Sequence, residues 1–197
     1  MCNGWRHQLA LIKSQINPHF LFNTLNNIDV LIELDAERAS AYLKKLSDIM
    51  RFMLYETKSE QIPLEKELLY IEKYLDLQKI RSANPNYVDV KVTGNSEGKF
   101  IEPMLLIPFI ENAFKHVIPK SGETAIFIRI EIQPDSLTFE CRNHYSPNTV
   151  PETDYSGLGN DLIEKRLQLL YPKTHTLTKS KTADYYAVML TLNFRAQ

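Results

Sequence analysis

Apolar residues in the first third of the chain recur at three- and four-residue steps, the spacing of one face of an α-helix. A first stripe runs from Leu9 to Ile32 and a second from Tyr42 to Leu54, with a polar break at residues 33–37 between them. This pattern predicts two long helices joined by a short turn, forming an antiparallel hairpin. Because one hairpin cannot bury such wide stripes, we expect two copies to pair into a four-helix bundle.

The hydrophobic pattern changes after residue 62. An amphipathic helix at residues 64–81 comes first, and from residue 87 apolar and polar residues alternate, which is typical of a strand. The remaining predicted elements are strands at 125–133, 137–143, 177–181 and 185–194, and helices at 103–117 and 158–170. Strands with intervening helices, after an all-helical opening, indicate an α+β fold. We therefore predict a helical hairpin domain at residues 1–61 and an α+β domain at residues 62–197.

The composition is that of an ordinary globular protein, with 44% hydrophobic residues and a formal net charge of −1. A general nucleic-acid binder usually carries a basic excess, so this balance argues against one. Cys2 and Cys141 have no metal-site spacing and form no disulfide framework, which favours a reducing compartment. No apolar stretch has the length of a membrane span, and no signal peptide is visible. The opening residues do not resemble a natural domain edge, so we expect a fragment of a longer protein.

Residues 15–28 read QINPHFLFNTLNNI and place a proline beside a histidine within the first helical stripe. Pro18 has no N–H and crowds the carbonyl of Ser14, which costs a continuous helix about 3 kcal/mol. Asn17 can cap a helix that restarts at Pro18, and His19 then falls in the first turn. Most helical histidines are structural, and a chemical role for His19 is the alternative interpretation.

The predicted helix at 103–117 has one polar side, formed by Glu111, Asn112, Lys115 and His116. A solvated helix face is the commoner explanation of four such residues. The alternative is a site for a metal-bound polyphosphate. Mg²⁺ prefers oxygen ligands, typically one or two of them from the protein, so Asn112 is the candidate ligand. Lys115 is then a candidate counter-charge for the phosphates.

Residues 156–160, with the sequence SGLGN, directly precede a predicted helix. Gly157 and Gly159 let the backbone approach a ligand closely, and a helix N-terminus offers free N–H groups to a phosphate. A Gly-x-Gly pair is also common in plain turns, and the chain has no P-loop with its lysine. The polar loop between Asn143 and Gly157 has the length of a mobile lid over a ligand.

Three blocks in order, residues 15–28, 103–117 and 157–172, resemble the phosphoacceptor motif, the N box and the glycine box of LytS-type sensor histidine kinases. The resemblance covers nearly the whole chain. It implies a dimerising, histidine-bearing hairpin followed by a Bergerat-type ATP-binding α/β sandwich, with His19 as the phosphorylated residue and Asn112 as the Mg²⁺ ligand. The residues that it implies around the bound ATP are Glu111, Lys115, His116, Asn143, Gly157, Gly159 and Asn160.

One stretch departs from the family pattern. Bergerat-type folds usually carry an Asp-x-Gly element, whose aspartate accepts a hydrogen bond from the adenine amino group, whereas residues 141–145 read CRNHY. Asn143 can accept this bond through its amide oxygen, but the bond is weaker without charge assistance. We therefore expect weak ATP affinity.

The function that this resemblance implies is that of a two-component sensor histidine kinase. Such a kinase uses Mg-ATP to phosphorylate His19 and passes the phosphoryl group to an aspartate of a response regulator. The resemblance also implies a homodimer, a cytoplasmic region without direct membrane contact, and a parent protein at the inner membrane. Two other interpretations stay open: a dimeric interaction module whose ATP site has decayed, and an ATP-hydrolysing conformational clamp that has no use for His19.

Overall fold

The computed structural model describes residues 18–80, 84, 86–118, 123–145 and 156–194, and for residues 18, 19 and 156–161 it describes the backbone alone. The chain divides into two compact units. The first comprises Met1–Ala83 with Ile101–Pro103 and is called the helical unit. The second comprises Asn84–Phe100 with Met104–Gln197 and is called the sheet unit.

The described part of the helical unit is built on three helices. They are α1 (Pro18–Leu34), α2 (Ala36–Tyr55) and α3 (Leu64–Lys79). A 3₁₀ turn at Glu56–Lys58 and the short strand β1 (Ile62–Pro63) connect α2 to α3. Residues 101–103 return to this unit, where strand β3 (Phe100–Ile101) pairs with β1.

The break between α1 and α2 is shorter than the predicted turn at residues 33–37. It consists of the single residue Asp35, whose side chain accepts a hydrogen bond from the N–H of Arg38 at 2.9 Å. An aspartate at this position satisfies one of the free N–H groups at the start of a helix, so α2 can begin at once.

Aromatic contacts join α3 to both helices of the hairpin. The Phe20 ring of α1 stacks on Tyr74 with the centroids 4.7 Å apart, and the Phe52 ring of α2 lies 4.4 Å from that of Tyr70. Two lysine–carboxylate ion pairs cross from α2 to α3, and a third joins α3 to the 3₁₀ turn that follows α2; their order shows that α2 and α3 run antiparallel. The pairs are Lys45–Asp76, Asp48–Lys73 at 2.6 Å and Glu56–Lys66 at 2.8 Å.

These contacts also show that α1 folds back along α2. Tyr74 packs on Phe20, near the start of α1, while the neighbouring Lys73 pairs with Asp48, in the second half of α2. The first turn of α1 and the second half of α2 therefore contact the same part of α3. The antiparallel hairpin predicted from the two stripes is confirmed in the described residues.

The predicted apolar stripes of the hairpin divide into a covered and an exposed part. Phe20 and Ile28 on α1 and Leu46, Ile49 and Met53 on α2 are buried. A second set of apolar side chains on the same two helices is exposed and recurs at three-, four- and seven-residue steps, which is one face of each helix. This exposed stripe consists of Phe22, Leu25 and Ile32 on α1 and Leu43, Met50 and Leu54 on α2.

The sheet unit contains a five-stranded mixed sheet in the order β2-β4-β5-β7-β6. Its strands are β2 (Val88–Gly94), β4 (Ile126–Ile132), β5 (Ser136–His144), β6 (His175–Lys181) and β7 (Tyr185–Asn193). The pair β2–β4 is parallel and the other three pairs are antiparallel. The unit also contains helices α4 (Ile107–His116) and α5 (Ser156–Leu170). This is the α+β fold that the sequence pattern predicts.

The central strand β5 presents one face of the sheet to α4. Leu137, Phe139, Cys141 and Asn143 alternate along β5 and are all buried. The Phe109 ring of α4 lies 5.9 Å from that of Phe139 and the Cys141 thiol lies 3.9 Å from the carbonyl of Phe109, so this face is the one that the helix covers.

Three predicted element boundaries need correction. Helix α4 begins at Ile107 rather than at residue 103, because Met104 adopts a left-handed conformation (φ 56°) that a helix does not allow. Helix α5 begins at Ser156, two residues earlier than predicted. Strand β6 begins at His175 instead of residue 177.

The predicted domain boundary at residue 62 differs from the boundary between the compact units. Helix α3 was expected in the second domain, but its ion pairs with α2 and its two aromatic contacts group it with the hairpin. The division into functional domains at residues 1–61 and 62–197 stays a prediction.

Candidate functional site

His19 lies in the first turn of α1, where the sequence analysis predicted it. Its backbone is helical, and its side chain lies outside the described part of the chain. The predicted cap at Asn17 also lies outside the described residues. Phe20, the next residue, is buried in the stack with Tyr74, so the start of α1 is fixed against α3.

The predicted polar side of α4 is present in the structure. Lys115 is exposed, and Glu111, Asn112 and His116 are half-buried. The opposite side of the helix is buried against the sheet, which holds these polar side chains at one edge of the helix-covered face. The structure therefore places the four predicted phosphate-side residues together on one helix.

His116 has a lowered pKa. Its partial burial disfavours the charged imidazolium, and the positive charge of the neighbouring Lys115 lowers the pKa further. The imidazole is therefore neutral at pH 7, and the positive charge on this part of α4 comes from Lys115.

Asn143 lies near the end of β5 on the helix-covered face, and its side chain is 1% exposed. Its amide Nδ2 donates a hydrogen bond to the backbone carbonyl of His144 at 2.9 Å. This bond fixes the amide group and uses its donor end. The amide oxygen, which is the acceptor that an adenine amino group needs, takes no part in it.

The carbonyl of His144 ties Asn143 to the end of α4. It accepts a second hydrogen bond, from the N–H of Ile118 at 3.2 Å, and Ile118 follows directly after α4. The N–H of His144 donates to the carbonyl of Ala125 at 2.9 Å, at the start of β4. One backbone position therefore holds together the predicted base-binding residue and the chain that leaves the predicted phosphate helix.

The glycine segment lies within the first turn of α5 rather than in a loop before it. Gly157 and Gly159 belong to the first four residues of this helix, whose N–H groups have no partner within a helix. Asn160 follows in the same helix. The predicted lid falls largely on residues 146–155, which lie outside the described part of the chain.

Two interactions position α5. Arg166 is buried and donates a hydrogen bond from Nη1 to the carbonyl of Met104 at 2.8 Å, in the turn that precedes α4. Glu164 forms an ion pair with Lys179 of β6. Arg166 was not predicted from the sequence. Its signal is a charged residue at a core position of the helix, between the buried Ile163 and Leu167.

Other residues missed from the sequence lie beside Asn143 in the sheet. The His144 carbonyl carries no side-chain signal. Tyr186 and Lys181 are distant from Asn143 in sequence, and the strand pairing brings them next to it. Among the described residues, no group of three or more His, Cys, Asp and Glu side chains converges as a metal site. No helix in the described ranges combines the length and apolar character of a membrane span.

The helical part of this arrangement matches a known family model. The model described as Histidine kinase matches residues 7–85. Sensor histidine kinase BtsS of Escherichia coli (strain K12) is 31% identical over 182 residues, which cover 91% of this chain and 32% of the relative. Sensor histidine kinase/phosphatase LytS of Staphylococcus aureus (strain MRSA252) is 29% identical over 191 residues, which cover 90% of this chain and 32% of the relative. The chain thus spans about a third of the length of these curated relatives.

A solved structure of a bacterial phosphotransferase is also similar to this chain. The two match with a TM-score of 0.51 and 10% identity, over 96% of this chain and 97% of the other. At this level of identity the likeness concerns the fold alone.

Proposed function

Because this chain belongs to the LytS-type histidine kinases, we propose that it is the catalytic region of a two-component sensor kinase. In this proposal it binds Mg-ATP in the sheet unit and phosphorylates His19 in the helical unit. The phosphoryl group then passes to an aspartate of a response regulator. The protein acts as a homodimer, and this region lies on the cytoplasmic side of an inner-membrane parent protein.

One observation carries the nucleotide-binding part of the proposal. The His144 carbonyl accepts hydrogen bonds from Asn143 Nδ2 and from the N–H of Ile118. It thereby joins the only buried asparagine of the described residues to the end of a helix whose polar side carries Asn112 and Lys115. A nucleotide has a base at one end and a polyphosphate at the other. The two hydrogen bonds to the His144 carbonyl connect the residue proposed for the base, Asn143, to the helix proposed for the phosphates.

The proposed roles follow from the chemistry of each group. Asn112 supplies an amide oxygen to Mg²⁺, which neutralises phosphate charge when bound. Lys115 adds an exposed positive charge to the same helix, and Glu111 and His116 line its phosphate side. The first-turn N–H groups of Gly157 and Gly159, with Asn160 beside them, hold phosphate oxygens at the N-terminus of α5. The Asn143 amide oxygen accepts the adenine amino group.

The fixed amide of Asn143 supports adenine rather than guanine as the base. Its donor end is engaged by the His144 carbonyl, so the acceptor end is the one left for the base. Adenine presents an amino donor at the position where guanine presents a carbonyl acceptor. The orientation of one amide therefore selects between the two bases.

In the transfer step, a ring nitrogen of neutral His19 attacks the γ-phosphorus. A phosphorus–nitrogen bond forms while the bond to the bridging oxygen breaks, and ADP leaves. The residue after His19 is Phe20, so no acidic neighbour in sequence serves as a base. An ordinary histidine has a pKa of about 6.5 and is mostly neutral at pH 7, so it is nucleophilic without one. In the second step an aspartate carboxylate of the regulator attacks the phosphorus, and the phosphorus–nitrogen bond breaks.

The homodimer is proposed from the exposed stripe on α1 and α2. Six apolar side chains on adjacent helices face outward in a single chain. A second copy that packs its own stripe on this one completes a four-helix bundle and buries both stripes.

Transfer of label from γ-labelled Mg-ATP to the purified chain tests the proposal. We expect an acid-labile, alkali-stable label that His19→Gln abolishes and that Asn112→Ala reduces by at least about tenfold, as expected when a metal-coordinating group is removed. His175→Gln is the matched control, because His175 lies on β6 with its Nδ1 2.7 Å from the Tyr171 carbonyl and has no proposed role. Full labelling of His19→Gln contradicts the assignment.

A dimeric interaction module is the second candidate function, and the replacement of the family aspartate by Asn143 favours it. In that case the chain takes up no label and Mg-ATP does not raise its melting temperature. Nucleotide-dependent thermal stabilisation of the chain argues for the kinase instead.

A further inference from the structure

Asn143 belongs to a row of three residues that crosses neighbouring strands. It pairs with Tyr186 of β7, and Tyr186 pairs with Lys181 of β6. Side chains of directly paired residues project from the same face of a sheet, with their Cβ atoms about 4.5–5.5 Å apart. The row therefore lies on the helix-covered face, at the end of the sheet where β5 reaches His144.

The Tyr186 side chain is half-buried and uncharged. Its burial raises its pKa; the nearby Lys179 lowers this pKa, while Glu164 and Cys141 raise it further. Lys179 and Glu164 form the ion pair that fixes α5 to β6. Strand pairing, in turn, places Tyr186 between Asn143 of β5 and Lys181 of β6.

Lys181 is held by aromatic rings. Its ammonium lies 5.4 Å from the ring centre of Tyr145 and 5.9 Å from that of Tyr186. Tyr145 follows β5 and is itself fixed by a hydrogen bond from its N–H to the carbonyl of Asp184 at 2.7 Å. The attraction between an ammonium and the faces of two aromatic rings stabilises both rings in these positions.

The neighbouring Tyr185 shows what a structural tyrosine looks like in this strand. It projects from the opposite face, where its ring stacks on that of His144 at 4.5 Å and meets the Arg142 guanidinium at 4.7 Å. The ring of Tyr185 is thus packed by its own sheet. For Tyr186 the described ring contact is with Lys181.

We infer that Tyr186 is a further specificity-determining residue of the nucleotide site, and that its ring forms a wall against the flat face of the purine whose amino group Asn143 accepts. Lys181 and Tyr145 hold this wall in position. The inference rests on the proposed function. A stacking ring offsets part of the binding that is lost when an uncharged amide replaces a carboxylate.

Calorimetric titration of the 197-residue chain with Mg-ATP and, separately, with magnesium and inorganic triphosphate tests the inference. Inorganic triphosphate carries the phosphates without a base. We expect Tyr186→Ala to weaken Mg-ATP about tenfold, the loss typical of one base–aromatic contact, and to leave triphosphate binding unchanged. Tyr186→Phe keeps the ring and is expected to bind Mg-ATP as the native chain does. Asn143→Leu is the reference for a lost base contact.

Tyr185→Ala is the matched control. It removes the tyrosine ring of the neighbouring residue, which projects from the opposite face of the sheet. We expect both alanine variants to lower the melting temperature, and only Tyr186→Ala to change the ratio of the two affinities. Equal weakening of ATP and triphosphate by Tyr186→Ala overturns the inference and assigns the ring a structural role. A native chain that binds ATP and triphosphate equally also overturns it, while the phosphate site stands. A native chain that binds neither overturns the proposed function as well.

Discussion

The helical unit and the sheet unit bury their apolar residues in different ways. In the sheet unit, Ile128, Ile130, Phe139 and Leu190 have no exposed surface. In the helical unit, by contrast, lie ten of the fifteen exposed large apolar side chains found in the described ranges. The difference teaches that one copy of the chain completes the core of the sheet unit, whereas the helical unit leaves an apolar stripe exposed, which is the surface that we propose a second copy covers.

Core truncation gives the largest expected effect on this comparison. Phe139→Ala removes a fully buried ring at the centre of the sheet and is expected to destabilise the sheet unit by about 3–5 kcal/mol. Leu46→Ala is the matched change in the helical unit, with an expected cost of about 2–5 kcal/mol. Urea denaturation followed by circular dichroism and by tyrosine fluorescence measures both. If each variant shifts the same single transition, the two units unfold together and the comparison fails.

Charge in the exposed stripe gives the next largest effect. The double change Leu43→Glu and Met50→Glu places two carboxylates on one face of α2, and we expect the dimer to dissociate at concentrations where the native chain is dimeric. The helix content of the separated chain should change little, because both positions are exposed. Light scattering and circular dichroism measure the two properties.

Leu69→Glu is the control for this experiment, since Leu69 is an exposed leucine on α3 outside the stripe. It is expected to stay dimeric. A native chain that is monomeric at tens of micromolar, about the range where weak dimers associate, contradicts the assignment of the stripe.

A smaller effect is the pH dependence of the stability of the sheet unit, which contains His116. Folding lowers the pKa of His116, so the unfolded chain binds this proton more tightly than the folded one. The stability contributed by neutral His116 is therefore fully present above about pH 6.5 and is lost as the pH falls below that value. His116→Gln is expected to flatten the dependence of the melting temperature on pH between 7 and 5, compared with the native chain. An unchanged slope in this variant refutes the assignment.

The smallest expected effect lies in the helical unit, at a lower pH. The hydrogen bond from Lys73 lowers the pKa of Asp48, so the folded chain keeps this carboxylate ionised more readily than the unfolded chain. Its contribution is present above about pH 4 and disappears as the pH falls through the lowered pKa. Asp48 is solvent-accessible, so the effect is small. Asp48→Asn should alter the melting temperature at pH 7 more than at pH 3, and an equal change at both values speaks against the ion pair.

Periodicity was enough to predict the elements, because helices and strands follow from spacing along the chain. The hairpin, the alternation along β5 and the polar side of α4 all follow from residues close in sequence. Other features depend on backbone conformation or on contacts between distant residues. They are the late start of α4 after Met104, the single-residue break at Asp35 and the grouping of α3 with the hairpin. The pairing of Asn143 with Tyr186 depends on strand order, which local spacing does not contain.

The hydrogen bonds at the His144 carbonyl have a consequence for how this protein tolerates change over evolutionary time. A main-chain oxygen is present whatever side chain stands at position 144, so drift at that position leaves the joint intact. The two donors differ: the bond from Asn143 needs a side-chain amide at that position, whereas at position 118 proline alone among the amino acids removes the donor. A search for invariant side chains would therefore find Asn143 and pass over the other half of this joint, whose trace in a set of related sequences would be the avoidance of one residue type at position 118.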